Sequence, residues 1–252
     1  MNARRLPVIA VLGLLVLAGL AGCRSDPAVA AYVGDTRVTE AEIDLVIGDL
    51  RAEVGDSIDR QLAELASELD AAALAEQEAQ RFDELEQQLA AIRDRVVEMR
   101  VLTEAGAGYA EQAGLAVAAP DLAQIGTDLG LSPDREYVAV VAEFVVVMDA
   151  LRDSVAPVPP AEADQREVYD HLVDDGLVSA PFAQVQPELD QQLLGQPVAL
   201  RDLLAEAVSR AEVRLNPRYD LVYRVPVPIG NAQSWLGVPL GESGESAVVD
   251  SE

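Results

Sequence analysis

Residues 213–220 read Val213-Arg-Leu-Asn-Pro-Arg-Tyr-Asp220. The stretch closes a helical pattern and precedes an alternating one. Asn216-Pro217 is a stop-and-turn pair, because a residue ahead of proline is pushed away from helical backbone angles. Beyond it, Leu221, Tyr223, Val225, Val227 and Ile229 alternate with Val222, Arg224, Pro226 and Pro228. Period two marks a strand. Two prolines cannot donate to a ladder, so the second half reads as a sheet edge or leaves the sheet. A chain that is helical almost throughout thus ends on an extended segment, and the fold turns on what that segment pairs with.

The other end of the chain has the opposite need. Ala30 to Asp44 reads "AAYVGDTRVTEAEID". Ala30–Val33 forms a strand, Gly34-Asp35 a turn, and Thr36–Val38 a return strand. Thr39 with Glu42 three residues on is a capping box, which starts a helix expected to reach about Val54. Val29, Tyr32 and Val38 are too few to make a core, so this hairpin needs a strand from elsewhere.

Between the two ends the pattern is helical. Residues 57–105 hold no Pro and, up to Gly106, no Gly. Leu62, Leu65, Leu69, Phe82, Leu85 and Leu89 belong to one stripe with steps of three and four. A single helix of ~45 residues would be ~70 Å long, which suggests an arm, a coiled-coil seam or two helices with a break; the Ala-rich Asp70–Ala79 is the place for a bend. The Glu86, Arg93, Arg95 and Glu98 charges on it read as intrahelical pairs on a solvated face. Gly114 is a helix C-cap, and Ala118-Ala119-Pro120 leads into a helix over Asp121–Leu129. Another follows Ser132-Pro133-Asp134 to about Val155. Tyr137, Val140, Val141, Phe144, Met148 and Leu151 form its core face, and further valines make it apolar nearly all round, as a buried central helix would be. After the Pro-rich joint "APVPPAEADQ", helices are expected over Glu162–Asp174, Phe182–Leu194 and Val198–Glu212, the last two divided by Gly195-Gln196-Pro197.

The N-terminus is a targeting device. Arg4 and Arg5 precede an apolar run from Leu6 to Ala21, and Leu20-Ala21-Gly22-Cys23 resembles a bacterial lipobox. Residues 1–22 then form a signal peptide and Cys23 the site of lipid attachment. Cys23 is the chain's one cysteine, so no intramolecular disulfide can form. Residues 23–28 are a short tether, 29–240 a single domain, and the Gly/Ser-rich acidic tail 241–252 is expected to be disordered.

The net charge is -26, and every basic residue is Arg. Phosphate backbones need a basic surface, so nucleic acid is a poor partner, and anionic lipid head groups are expected to repel so acidic a chain as well. His171 is the lone histidine. Asp174 shares its helical face, but one His and one carboxylate make neither a metal site nor a catalytic pair, and His171 reads as part of a solvated helix end. No phosphate loop occurs, no pair among the many carboxylates stands out, and no cofactor is expected. Trp235 reads as an anchor for the C-terminal segment or, alternatively, as an exposed aromatic that touches a client or partner protein.

The lipobox followed by "AAYVGDTRVTEAEID", the mid-chain "EQAGLAVAAPDL" and the late "AEVRLNPRYD" together resemble SurA/PrsA-type chaperone-foldases in a short lipoprotein form. The likeness covers most of the mature chain, and its first and last motifs are the specific ones. The family's spelling near the C-terminus is close to Val-Asn-Pro-Arg-Tyr-Gly; here Leu215 stands for Val and Asp220 for Gly. The resemblance implies a mainly α domain with a small β-sheet, in which the N-terminal hairpin pairs with a late strand beside a long helix or helical arm. The closing helix and strand would be residues 198–229, and some part of 211–225 should lie beside 29–38. It further implies a protein lipid-anchored through Cys23 on the outer face of the cytoplasmic membrane. There it would hold unfolded exported polypeptides without enzymatic activity. The family's inserted prolyl isomerase domain has no room between the Pro-rich joint and Leu215. The alternative is a structural or adaptor lipoprotein whose helical arm serves one defined partner.

Overall fold

The hairpin and the late segment do meet. A computed structural model describes residues 26–67, 69–230 and 232–241. β1 (Val29–Val33) and β2 (Thr36–Thr39) pair antiparallel, with Val33 opposite Thr36 and Gly34 at φ 57 in the turn. A two-residue hairpin loop demands such positive φ, which glycine supplies without a Cβ clash. β3 (Arg214–Leu215) adds to the other side of β1, Leu215 opposite Ala31 and Arg214 opposite Tyr32, giving the order β2-β1-β3.

The strand that pairs lies ahead of Asn216-Pro217, not beyond it as expected. The alternating segment is instead β4 (Val222–Ile229), which folds back on β5 (Ala232–Pro239) as a separate two-stranded sheet. The turn between them carries Gly230 at φ 58. Tyr223, Val225 and Val227 point into the core while Arg224, Pro226 and Pro228 face out. The period-two reading was right and the partner was not: β5 pairs locally, so β4 has no need of the distant hairpin.

Seven helices among the described residues enclose this β structure. α1 (Glu40–Leu65) opens on the capping box, the Glu42 amide donating to Thr39 Oγ1 and the Thr39 amide to Glu42 Oε2. It runs past Val54, and of the alternatives for the long helical stretch the structure has two helices with a break: α2 (Ala71–Ala113) starts anew where Asp70 Oδ1 accepts from the Ala72 and Ala73 amides. The break therefore precedes the Ala-rich stretch and is set by a cap, not by a weak stripe. α2 is 43 residues long, ~65 Å. It ends at Gly114, φ 67, as its sequence asks. The charges on it are mostly not intrahelical. Glu86 pairs with Arg51 at 2.7 Å and Arg93 with Glu40 at 2.9 Å, both stitching α2 to α1.

α3 (Leu122–Leu129) is capped by Asp121. α4 (Glu136–Ser154) is helix throughout its β-branched run and takes the central position, with Val138, Val140, Met148 and Leu151 fully enclosed. A Cβ on Gly106 would come within 2.8 Å of Val147 Cγ1, so the α2–α4 approach depends on that glycine. α5 is Glu162–Asp174, as expected. α6 (Phe182–Val185) is a single turn, followed by a short 3₁₀ turn over Gln186–Glu188.

α7 (Gln191–Arg210) runs straight through Gly195-Gln196-Pro197, where a division was expected. Pro197 removes one helical donor, but the joint at 155–158 is sewn onto this part of the helix. Val158 donates to the Gly195 carbonyl, Gln196 Nε2 to Arg152 O, and Gln191 Nε2 to Pro157 O. Gly195 admits the joint, since a Cβ there would lie 2.9 Å from Val158 O. Past α7, Glu212 takes φ 48, the one non-glycine among the described residues to do so, and turns the chain into β3.

The opening motif then locks. The Asn216 amide donates to Ala30 O at 2.8 Å and its Nδ2 to Val29 O at 3.0 Å. Tyr219 N returns to Asn216 O, closing a turn with Pro217 in its favoured second place. Tyr219 Oη donates to both Glu40 oxygens, at 3.0 and 3.2 Å, and Arg218 pairs with the same carboxylate. A hydrogen bond to a charged acceptor contributes about 1.5–3 kcal/mol, and Glu40 keeps its arginines if the phenol is lost. Tyr219→Phe should therefore lower urea stability by about 1–2 kcal/mol with an unchanged m-value; no measurable change would contradict the latch.

Candidate functional site

Cys23 and the lipobox lie outside the described residues. His171 and Trp235, distant in sequence, come together. Their rings stack with centroids 3.6 Å apart and an interplanar angle of 24°. His171 Nδ1 sits 3.2 Å from the Trp235 carbonyl oxygen, so that nitrogen carries the proton. Next to it, Glu167 Oε1 accepts from the Gly237 amide at 2.7 Å, and Ser234 Oγ donates to Val168 O. α5 thus satisfies two outward backbone groups of β5, the Trp235 carbonyl and the Gly237 amide. Arg224 covers the Trp235 ring, its guanidinium carbon 4.7 Å from the ring centroid. His171 is half-buried on Trp235, not solvated as the sequence suggested, while Asp174 is exposed. Trp235 packs the C-terminal hairpin onto α5, as an anchor would. Among the described residues no group of three or more His, Cys, Asp or Glu could hold a metal ion.

A second cluster was not foreseen. Glu98 is buried on α2, paired with Arg95 one turn back. Arg95 lies over the Phe144 and Tyr223 rings, at 6.0 and 5.8 Å, and these two rings meet edge to face. Burial pushes the Glu98 carboxyl above its usual range, only partly opposed by Arg95. Burial likewise raises Tyr137 and Tyr223. The cluster ties α2, α4 and β4 together. Sequence alone placed Glu98 on a solvated face, since nothing in its own helix announces that β4 will cover it.

Apolar surface is left open in several places, including Leu45 on α1 and Val173 and Leu177 near the end of α5. Pro197 and Leu200 of α7 face Val225, Pro226 and Pro228 of β4 across a cavity of about 320 Å³, with Arg152 and Gln196 as its polar lining. Another opening is the segment around α3. Of that helix only Gly126 is buried; a Cβ there would meet Leu131 O at 2.9 Å. Gly126 thus packs on the chain that follows the helix, at Leu131 and Pro133, while the leucines of α3 stay outside. Val117 is 40%, Leu122 38% and Leu129 40% exposed, and Leu122 and Leu129 stand two turns apart on one face. Asp121, Asp128 and Asp134 flank the strip, all exposed.

Among the described residues no helix is long and apolar enough to cross a membrane. The chain matches no protein-family model, no curated protein and no solved structure.

The Glu98 cluster yields a pH signature. A carboxyl raised in the folded state stabilises the fold fully below its unfolded value, ordinarily 4.5, and loses that contribution as pH rises through its folded value. Glu98→Gln should therefore be more stable than the parent at neutral pH, with the advantage vanishing as pH falls below the ordinary value of 4.5. Denaturant titrations at several pH values measure it; a pH-independent difference would contradict the burial of an ionisable group here.

Proposed function

We propose that the chain is a lipid-anchored extracytoplasmic holding chaperone, attached through Cys23, that binds unfolded exported polypeptides and performs no chemical step on them. The observation that carries this reading is the exposed strip Val117–Leu122–Leu129. Leu122 and Leu129 sit on one face of a capped helix, and Val117 lies in the segment that leads into it, all three placed to cover apolar groups of a client. Complete burial of one such side chain is worth about 1.5–3 kcal/mol, and these are already partly covered. Three of them give a weak, quickly reversed contact, which suits transient holding. The flanking Asp121, Asp128 and Asp134 favour clients with basic residues and oppose self-association of the strip.

The resemblance to SurA/PrsA-type foldases supports the same reading, because the late motif meets the early hairpin beside a helical arm as that resemblance implies. The helical residues between the Pro-rich joint and β3 agree with a form that lacks the isomerase insert.

The test is suppression of aggregation of a reduced, unfolded exported protein by the purified chain. Leu122→Asp with Leu129→Asp should lower holding capacity several-fold, with stability changed by no more than about 0.5 kcal/mol, as expected for surface sites. Undiminished capacity would remove the strip from the account. If the parent holds no unrelated substrate and crosslinks to one stoichiometric partner in cells, the adaptor reading replaces the chaperone.

A further inference from the structure

The outer face of the three-stranded sheet carries a row that neither the fold nor client holding requires. Tyr32, on the central strand, stands opposite Arg37 on β2 and opposite Arg214 on β3. The two guanidinium carbons lie 5.8 and 5.5 Å from the Tyr32 ring centroid. Ala31 and Val33 are buried on either side in sequence, while Tyr32 is half-buried and both arginines are exposed. Most arginines described in this acidic chain are ion-paired, among them Arg51, Arg93, Arg95, Arg135 and Arg201, while Arg60, Arg81 and Arg224 are not paired among the described residues. Arg37 and Arg214 have no ion pair among the described residues, and the nearest acids in sequence, Asp35 and Glu212, pair with neither. Two uncompensated guanidinium forks beside one phenol form a seat for a tetrahedral anion, which arginine binds in bidentate geometry.

The position of the row selects the anion. Only Arg24–Ala28 separate Cys23 from the first residue of β1. Such a tether spans at most ~20 Å. We propose that Arg37, Tyr32 and Arg214 bind the phosphate of an anionic phospholipid in the membrane that carries the anchor, and so seat the domain sheet-first on the bilayer. This rests on the lipid-anchor reading of Cys23. The net negative charge does not forbid it: at physiological salt the Debye length is ~8 Å, so acids farther from the contact are screened. Tethering makes the contact intramolecular, and a patch too weak to recruit a free protein then suffices to orient an anchored one. Tyrosine at the headgroup level places a ring with one apolar and one polar end where both are satisfied.

The experiment uses the full chain made in a bacterial host and reconstituted in vesicles. A fluorophore on Thr36→Cys, next to Arg37, is read against a quencher carried on lipid headgroups. Mass analysis of the N-terminal peptide reports acylation of Cys23 separately. Quenching should be at least about threefold stronger in phosphatidylcholine vesicles containing phosphatidylglycerol than in phosphatidylcholine alone. Arg37→Gln with Arg214→Gln should reduce it to the phosphatidylcholine level, and the paired Lys variants should retain part of it. The same circular dichroism spectrum for all variants shows that the sheet persists. Equal quenching in the two vesicles, with Cys23 acylated, overturns the headgroup contact and leaves the anchor standing. Inorganic phosphate added at constant ionic strength should compete with the headgroup and lower the quenching, and quenching that phosphate leaves unchanged would overturn the phosphate seat. An unmodified Cys23 removes both.

Discussion

The carboxylate of Glu40 is the point on which the molecule closes. It stands at the first residue of α1, where the helix dipole already favours a negative charge. It receives Arg93 from α2 and both Arg218 and Tyr219 from the far end of the chain. Asn216 completes the junction by bonding Val29 and Ala30, across a sequence separation of 187 residues in the first case. Closing so long a loop costs entropy that two short strands alone would not offset. Backbone pairing, an amide side chain, a phenol and two guanidinium groups together do so. Each residue of Asn-Pro-Arg-Tyr has its own part in this junction: Asn216 bonds the hairpin, Pro217 sets the turn, and Arg218 and Tyr219 grip one acid.

Much of the fold was legible because its signals are local. The capping box at Thr39, the glycine at Gly114 and the bounds of α5 follow from residues within a turn of each boundary. The juxtaposition of chain ends came from the resemblance carried by "VRLNPRYD", supported by a hairpin short of a strand. What failed was mostly non-local. Pro197 breaks a helix on local rules, yet α7 continues because the joint at 155–158 bonds to it. The strand after Pro217 was assigned to the wrong partner because β5, with its Ser, Gly and Trp, does not read as a strand. One miss was local after all: Asp70, just ahead of an Ala run, is an N-cap signal that marks the α1–α2 break.

The site was less legible than the fold. His171 and Trp235 were both singled out, but nothing in sequence joins them across the α5–β5 contact. Their stack has a structural purpose. The two-stranded sheet has two exposed edges, and such edges recruit other strands. Glu167, His171 and the Val168 carbonyl occupy one edge, while Pro226 and Pro228 remove donors from the other. Strand addition at the edges of this sheet is thereby opposed. The exposed strip itself escaped notice because exposure depends on Gly126 bringing α3 down onto its own C-terminal turn.

The central claim is that the chain ends are joined by a cooperative junction rather than by a frayed contact. Native-state hydrogen exchange at the Asn216 amide, which donates to Ala30, measures this most directly. Its opening free energy should equal that of the buried amides of α4, rising and falling with global stability across denaturant. Exchange through a low-energy local opening, independent of denaturant, would contradict the account and reduce the late motif to a loosely attached tail.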